Sequence, residues 1–254
     1  MKVLLDPIEG YDFHCHVDLD KDPRATIARC EAERIFTLAV TTTPKAFSTN
    51  AEWTRGSRYV FPAVGLHPEL VGERLHELPM VVSLLEKTAF VGEVGLDGSP
   101  QHKGSYEKQR EAFVEILKSA QRFGEKILTI HSRRAANDVL ELIEKHTTPD
   151  RVLCILHWFS GATSSMRRAV AAGCYFSVNA NMLDSERSLA LVGAMPPDRV
   201  LTETDAPFGM TDARPSMPWD VVRTAQRLLS HAPGGGIPLR ENADRVLRFA
   251  GVIA

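Results

Sequence analysis

Apolar residues fall into short runs that recur roughly every 25 to 30 residues, and a stretch with helical spacing follows each run. The runs predict strands near Tyr11–His14, Phe36–Thr41, Tyr59–Gly65, Ala89–Glu93, Ile127–His131, Leu153–His157, Cys174–Ser177 and Val200–Thr204. Helical patterns lie between and after them at Arg24–Arg34, Ala46–Thr54, Pro79–Glu86, Ser105–Phe123, Arg134–His146, Ser164–Ala172, Ser185–Ala194 and Trp219–Leu229. The strongest covers Tyr106–Phe123, where Phe113, Ile116, Leu117 and Ala120 share a face. A last helix, Arg240–Phe249, follows the loop Pro233-Gly234-Gly235-Gly236. Strand–helix alternation predicts a parallel sheet. Eight such units in 254 residues predict an α/β fold, a (β/α)₈ TIM barrel forming one domain over residues 1–254.

Strand periodicity turns this layout into chemistry. Successive side chains alternate faces, so Asp12, His14 and His16 share one face while Phe13, Cys15 and Val17 share the other. The same counting groups Leu201, Glu203 and Asp205, then Ile127, Thr129 and His131, then Leu153, Ile155 and His157. In each set the last position is polar, at the carboxyl end of the strand, where barrel active sites form. Glu93, between glycines, ends a further strand. Singly, each has an ordinary reading: a solvated histidine, a turn cap, an N-cap. Jointly, His14, His16, Glu93, His131, His157 and Asp205 make a ligand set for Zn²⁺ or Mn²⁺, or Mg²⁺. His67 in Gly65-Leu66-His67-Pro68 follows the third strand and would face the same rim. His76, His102, His146 and His231 stand beside charged residues and read as solvated.

Composition narrows the class. The chain is 44% hydrophobic and 24% charged, which supports a large core, and its formal charge of −2 supplies no basic field toward nucleic acid. Binding to nucleic acid would have to be local. No stretch is long enough to span a membrane, and the start lacks the order of a signal peptide. The cysteines (Cys15, Cys30, Cys154, Cys174) lack CxxC spacing, so buried thiols in a reduced, cytoplasmic protein are expected.

Seven stretches, in order, resemble the TatD family of metal-dependent hydrolases, within the amidohydrolase-like barrels. They are Asp12-Phe-His14-Cys-His16, Gly65-Leu-His67-Pro68, Gly92-Glu93-Val-Gly-Leu-Asp97, Gln109-Arg-Glu-Ala-Phe113, Ile130-His131-Ser132-Arg133, His157-Trp-Phe159-Ser160-Gly161 and Glu203-Thr204-Asp205-Ala-Pro207. The resemblance implies two divalent ions. His14 and His16 would hold one with Asp205, His131 and His157 would hold the other, and Glu93 would bridge them. It also implies deoxyribonuclease activity, largely exonucleolytic, on a nucleic-acid substrate, DNA before RNA. The wording of Thr41-Thr-Thr-Pro44, His131-Ser-Arg-Arg134, Leu156-His-Trp-Phe-Ser-Gly161 and Leu201-Thr-Glu-Thr-Asp205 is similar to the TatD-type component of the Qat anti-phage defence system, which implies partners from a defence operon. Two segments depart from the family: Gly98-Ser99-Pro100 follows Asp97 in place of an aromatic pair, and Ala213–Pro218 stands where the family carries Asn-Glu-Pro. Both belong to loops that would contact substrate.

Two ions roughly 3.5–4 Å apart can clamp the attacking and leaving oxygens of an in-line displacement and activate the water between them. Asp205 is then ligand and general base, and Glu93 is part of the catalytic centre. Glu203 and Asp12 would support the ligands from behind; the ordinary reading of Glu203 is a hydrogen bond to Thr202 or Thr204. Arg133 and Arg134 follow His131 and could grip a phosphate with His67, or simply be solvated. Trp158 and Phe159 suit packing better than base stacking. Two other readings remain at this stage: hydrolysis of a small-molecule amide, lactone or amine, and a mainly structural role in a defence complex.

Overall fold

All eight predicted strands form in the computed structural model, which describes residues 7–231 and 236–253. The order begins β1 (Gly10–Cys15), α1 (Pro23–Glu33), β2 (Ile35–Ala39), α2 (Pro44–Trp53), β3 (Val60–Pro62), α3 (Val71–Arg74), α4 (Leu78–Leu85) and β4 (Phe90–Gly95). It continues α5 (Tyr106–Phe123), β5 (Lys126–His131), α6 (Ala136–His146), β6 (Val152–His157), α7 (Thr163–Ala171), β7 (Tyr175–Val178), α8 (Glu186–Gly193) and β8 (Val200–Thr202). A two-stranded hairpin, β9 (Met210–Thr211) and β10 (Arg214–Pro215), precedes α9 (Val221–His231) and α10 (Leu239–Phe249). Of the loop expected before α10, Pro233, Gly234 and Gly235 lie outside the described residues. No helix among the described residues is long and apolar enough to cross a membrane.

The chain divides into two compact units. One comprises Met1–Ala39, Thr49–Pro62 and Phe176–Ala254. In it β1, β2 and β3 form a parallel sheet, with Tyr11 opposite Phe36 and Leu38 opposite Phe61. β7 pairs in parallel with β8 through Phe176–Val200 and Val178–Thr202. Cys15 and Val17 turn into an apolar cluster with Ile27 and Cys30 of α1 and Val221 of α9, the face that alternation predicted for them. The other unit comprises Val40–Ser48 and Ala63–Tyr175. There β4, β5 and β6 are parallel neighbours, with Gly95 opposite His131 and Ile130 opposite Leu156. In α5, Phe113, Ile116, Leu117 and Ala120 are buried together, as their spacing predicted. All four cysteines are buried free thiols.

At three boundaries that differ from the pattern, a backbone group or its conformation accounts for the change. β2 leaves its ladder at Ala39 because Thr41 exchanges backbone hydrogen bonds with Gly92 and Glu93 instead. α6 starts at Ala136, not Arg134, because Arg134 is left-handed at φ +54°. β8 stops at Thr202, before Thr204 is drawn to Asp12 and Asp205 turns left-handed at φ +50°.

Candidate functional site

In the first unit, the ladder of β1 shifts register between Asp12 and Cys15, so one extra residue is accommodated around His14. A bulge of this kind re-aims side chains, and bulges recur beside active sites. Two backbone bonds tie the strand end to the turn after β8: Asp205 N–H donates to the His14 carbonyl at 2.8 Å, and His16 N–H donates to the Ala206 carbonyl at 2.8 Å. The result is a buried trio. His14 Nε2 lies 3.7 Å and His16 Nε2 3.6 Å from Asp205 Oδ1. The donor atoms all lie within 4.8 Å of one another. Those separations exceed a normal hydrogen bond. They suit a shared cation, because two atoms each about 2.0–2.2 Å from one Zn²⁺ at the tetrahedral angle stand roughly 3.4 Å apart.

Asp12 is fully buried and does not join the trio. Its carboxylate accepts from Thr204 Oγ1 at 2.5 Å, from Thr204 N at 2.9 Å and from His14 N at 3.2 Å. Burial pushes its carboxyl well above the usual range against the pull of those bonds. Asp12 thus locks the backbone on either side of the trio. Glu203 accepts from Ser177 Oγ and, at 2.9 Å, from Asn179 Nδ2, while the Thr202 hydroxyl donates to the Tyr11 carbonyl and that of Thr204 to Asp12.

In the second unit, Glu93 sits in another register shift, between Val91 and Val94. Its N–H donates to the Thr41 carbonyl, and the Gly92 carbonyl accepts from Thr41 N–H, both at 3.0 Å. Gly92 has no room for a side chain, since a Cβ would stand 2.1 Å from Thr129 Cγ2. Three imidazoles converge on Glu93 Oε1: His131 Nδ1 at 2.8 Å, His157 Nε2 at 2.9 Å and His67 Nε2 at 3.1 Å. One carboxylate oxygen has two lone pairs, so three ring nitrogens exceed what hydrogen bonding alone can match. The donor set fits a cation. Its members able to share one include His67, Glu93 and His131, so His67 stands with the ligand types rather than apart from them.

Asp97 backs this group from behind. Its Oδ2 meets His131 Nε2 at 2.8 Å while Oδ1 accepts from Ser99 N at 2.7 Å. Burial would raise the Asp97 carboxyl, but bonds from His131 and Ser99 hold it below the usual carboxylate range. Burial would likewise lower His131, yet Asp97 and Glu93 hold it above its ordinary value. Gln109 on α5 supports the arrangement, with Oε1 accepting from Asp97 N at 2.8 Å. Glu69 and His102 stand beside Asp97 with donor atoms within 4.8 Å, and His102 Nε2 is 3.4 Å from Glu69 Oε1. His102 is therefore not the solvated residue expected, because the turn Pro100–Ser105 folds it against Glu69. His76 and His231 are exposed as expected.

Arg133 and Arg134 are both exposed on the turn after β5. The departure at Gly98 is explained here: its N–H donates to the Arg133 carbonyl at 2.9 Å, and a Cβ would meet the Arg134 carbonyl oxygen at 2.5 Å. Phe159 is buried, so it packs, while Trp158 is half-buried. The departing segment Ala213–Pro218 contains β10, and Arg214 clamps Asp220 through two bonds of 2.7 and 2.8 Å.

The model of the family described as TatD-related DNase matches residues 11–235. The chain belongs to that family. It is 32% identical over 251 residues to a Mycobacterium tuberculosis protein named uncharacterized metal-dependent hydrolase TatD, covering 87% of this chain and 91% of that one. It is 27% identical over 235 residues to human deoxyribonuclease TATDN3, covering 85% and 84%. The crystal structure of YJJV, a TatD homolog from Escherichia coli, superposes with a TM-score of 0.80 at 23% identity, covering 96% of this chain and 97% of that one. The fold is accordingly the α/β TIM-barrel type of the TatD family, and this TatD-family chain is a metal-dependent hydrolase. The matched region includes every residue of both donor groups.

Proposed function

We propose that this TatD-family hydrolase is a deoxyribonuclease that releases nucleotides from a strand end. The carrying observation is the convergence of three imidazole nitrogens on Glu93 Oε1. In this reading His14, His16 and Asp205 hold one divalent ion (Zn²⁺, Mn²⁺ or Mg²⁺), and Glu93, His131 and His157, with His67 beside them, hold another. A divalent ion so held would polarise a phosphate beside it and bring the pKa of a water toward neutrality. Asp205 takes a proton from the attacking water as its oxygen bonds to phosphorus, and the bond from phosphorus to the departing oxygen breaks. His131 is oriented by Asp97, which accepts from Nε2 and leaves Nδ1 facing Glu93. Asp97→Ala is expected to weaken metal binding about 10- to 100-fold with the fold intact. Unchanged affinity by calorimetry would return Asp97 to a structural role.

Arg133 and Arg134 supply the exposed positive charge beside His131 that a phosphate needs. Replacing either by alanine should weaken strand binding and leave bound metal unchanged. It should also lower the salt slope by about 0.7 to 0.9 for each phosphate no longer neutralised. Equal affinity and slope in both variants would remove them from the substrate path. The defence role suggested by the four stretches resembling the Qat component predicts co-purification with products of adjacent genes. Purification without any of them after native expression would count against it.

The nuclease reading is tested with metal-loaded protein and end-labelled single-stranded DNA, double-stranded DNA and RNA, alongside a panel of small amides and lactones. Labelled mononucleotides from DNA are expected. Hydrolysis confined to the small molecules would overturn it.

A further inference from the structure

Phe208 is 57% exposed, more than any other large apolar side chain among the described residues. It stands three positions after Asp205, and its ring meets that of His16 edge to face at 5.3 Å and 86°. The exposure is built in by the loop. Phe208 N–H and Gly209 N–H both donate to the Asp205 carbonyl, at 2.7 and 2.8 Å. The Gly209 carbonyl accepts from Ser216 N at 2.8 Å, and Met210 N donates to Asn181 Oδ1 at 2.8 Å. Met210, two positions on, is also exposed. A single exposed apolar residue needs no explanation. A ring held out by a hydrogen-bonded turn, in contact with one of three buried metal-ligand types, does.

We propose that Phe208 is a stacking platform for an unpaired nucleobase, a specificity-determining contact beside the His14, His16 and Asp205 group. The inference rests on the nuclease reading above. Every base has a π-face, so an aromatic platform binds strands with little sequence preference. Bases inside a duplex have both faces covered, and only a frayed or single-stranded end can present one. The His16 contact places the platform beside the donor group where a phosphate would be held, so the stacked base and the phosphate belong to neighbouring parts of one strand.

The test is equilibrium binding of short single-stranded oligonucleotides to the protein in chelator, where no cleavage intervenes, followed by cleavage of the same strands in Mn²⁺. Phe208→Ala should weaken binding roughly five- to 150-fold, and Phe208→Trp should retain it. An abasic residue is then moved along the strand. At one position near an end, wild type should lose the same factor and Phe208→Ala should lose nothing more, the coupling that marks a direct contact. Unchanged affinity in Phe208→Ala, or penalties that add in full at every position, would overturn the stacking role. Wild type that binds with this coupling yet cleaves nothing would refute the nuclease reading alone. Wild type that binds no strand in chelator would overturn the stacking role, and if it also cleaves nothing in Mn²⁺ both readings fail.

Discussion

Asp205→Asn is expected to lose at least about two orders of magnitude in turnover while keeping most of its metal under saturating conditions. Asparagine preserves the size and one carbonyl oxygen, so contact with a cation between His14 Nε2 and His16 Nε2 can survive. It cannot take a proton near neutral pH. Removing a positioned base typically costs 10²–10⁴-fold, about 3 to 5 kcal/mol of barrier. The backbone bonds that hold position 205, to His14 and from Phe208 and Gly209, are untouched by the change. Near-wild-type turnover in the metal-saturated variant would show that another group takes the proton. Loss of metal under those conditions would make ligation the primary role of Asp205.

Glu93→Ala should be as severe by a different route. His67, His131 and His157 all face this carboxylate, at 3.1, 2.8 and 2.9 Å. Without it the three rings lose the carboxylate they share, and Asp97 still meets only the far side of His131. Residues that merely orient ligands cost 10- to 100-fold in metal affinity, so losing this carboxylate should cost at least about 100-fold. His157→Ala removes one of the three rings and should lower metal content less. Equal stoichiometry in the two variants by elemental analysis would contradict that ranking.

Strand order and ligand type were legible because they depend on periodicity of two and on polar residues at strand ends. His131 and His157 stand where that counting put them, each at the last position of its strand. The support beneath them was not legible. The register shifts around His14 and Glu93 break the alternation at the positions that matter most, and nothing in the local pattern announces an extra residue. The sequence places Asp12 behind the ligands but cannot name its partner Thr204, 192 positions away. Gln109, Ser177 and Asn179 act through contacts of the same long-range kind. His102 reads as solvated from its charged neighbours, and only the turn after Asp97 brings it to Glu69. Phe208 carries no signal in the local pattern, because spacing does not show that the turn after Asp205 leaves its ring exposed. The bridging role given to Glu93 comes from family resemblance alone, since spacing cannot show how many ions one carboxylate meets.

The proposed nuclease activity requires divalent metal held by these two donor groups. The most direct measurement takes protein stripped by exhaustive chelation, with and without added Mn²⁺ or Zn²⁺, and follows release of label from end-labelled single-stranded DNA. No release is expected from stripped wild type, with recovery on adding metal in wild type and little recovery in Glu93→Ala. Full release by stripped protein, or equal recovery in Glu93→Ala, would contradict that requirement.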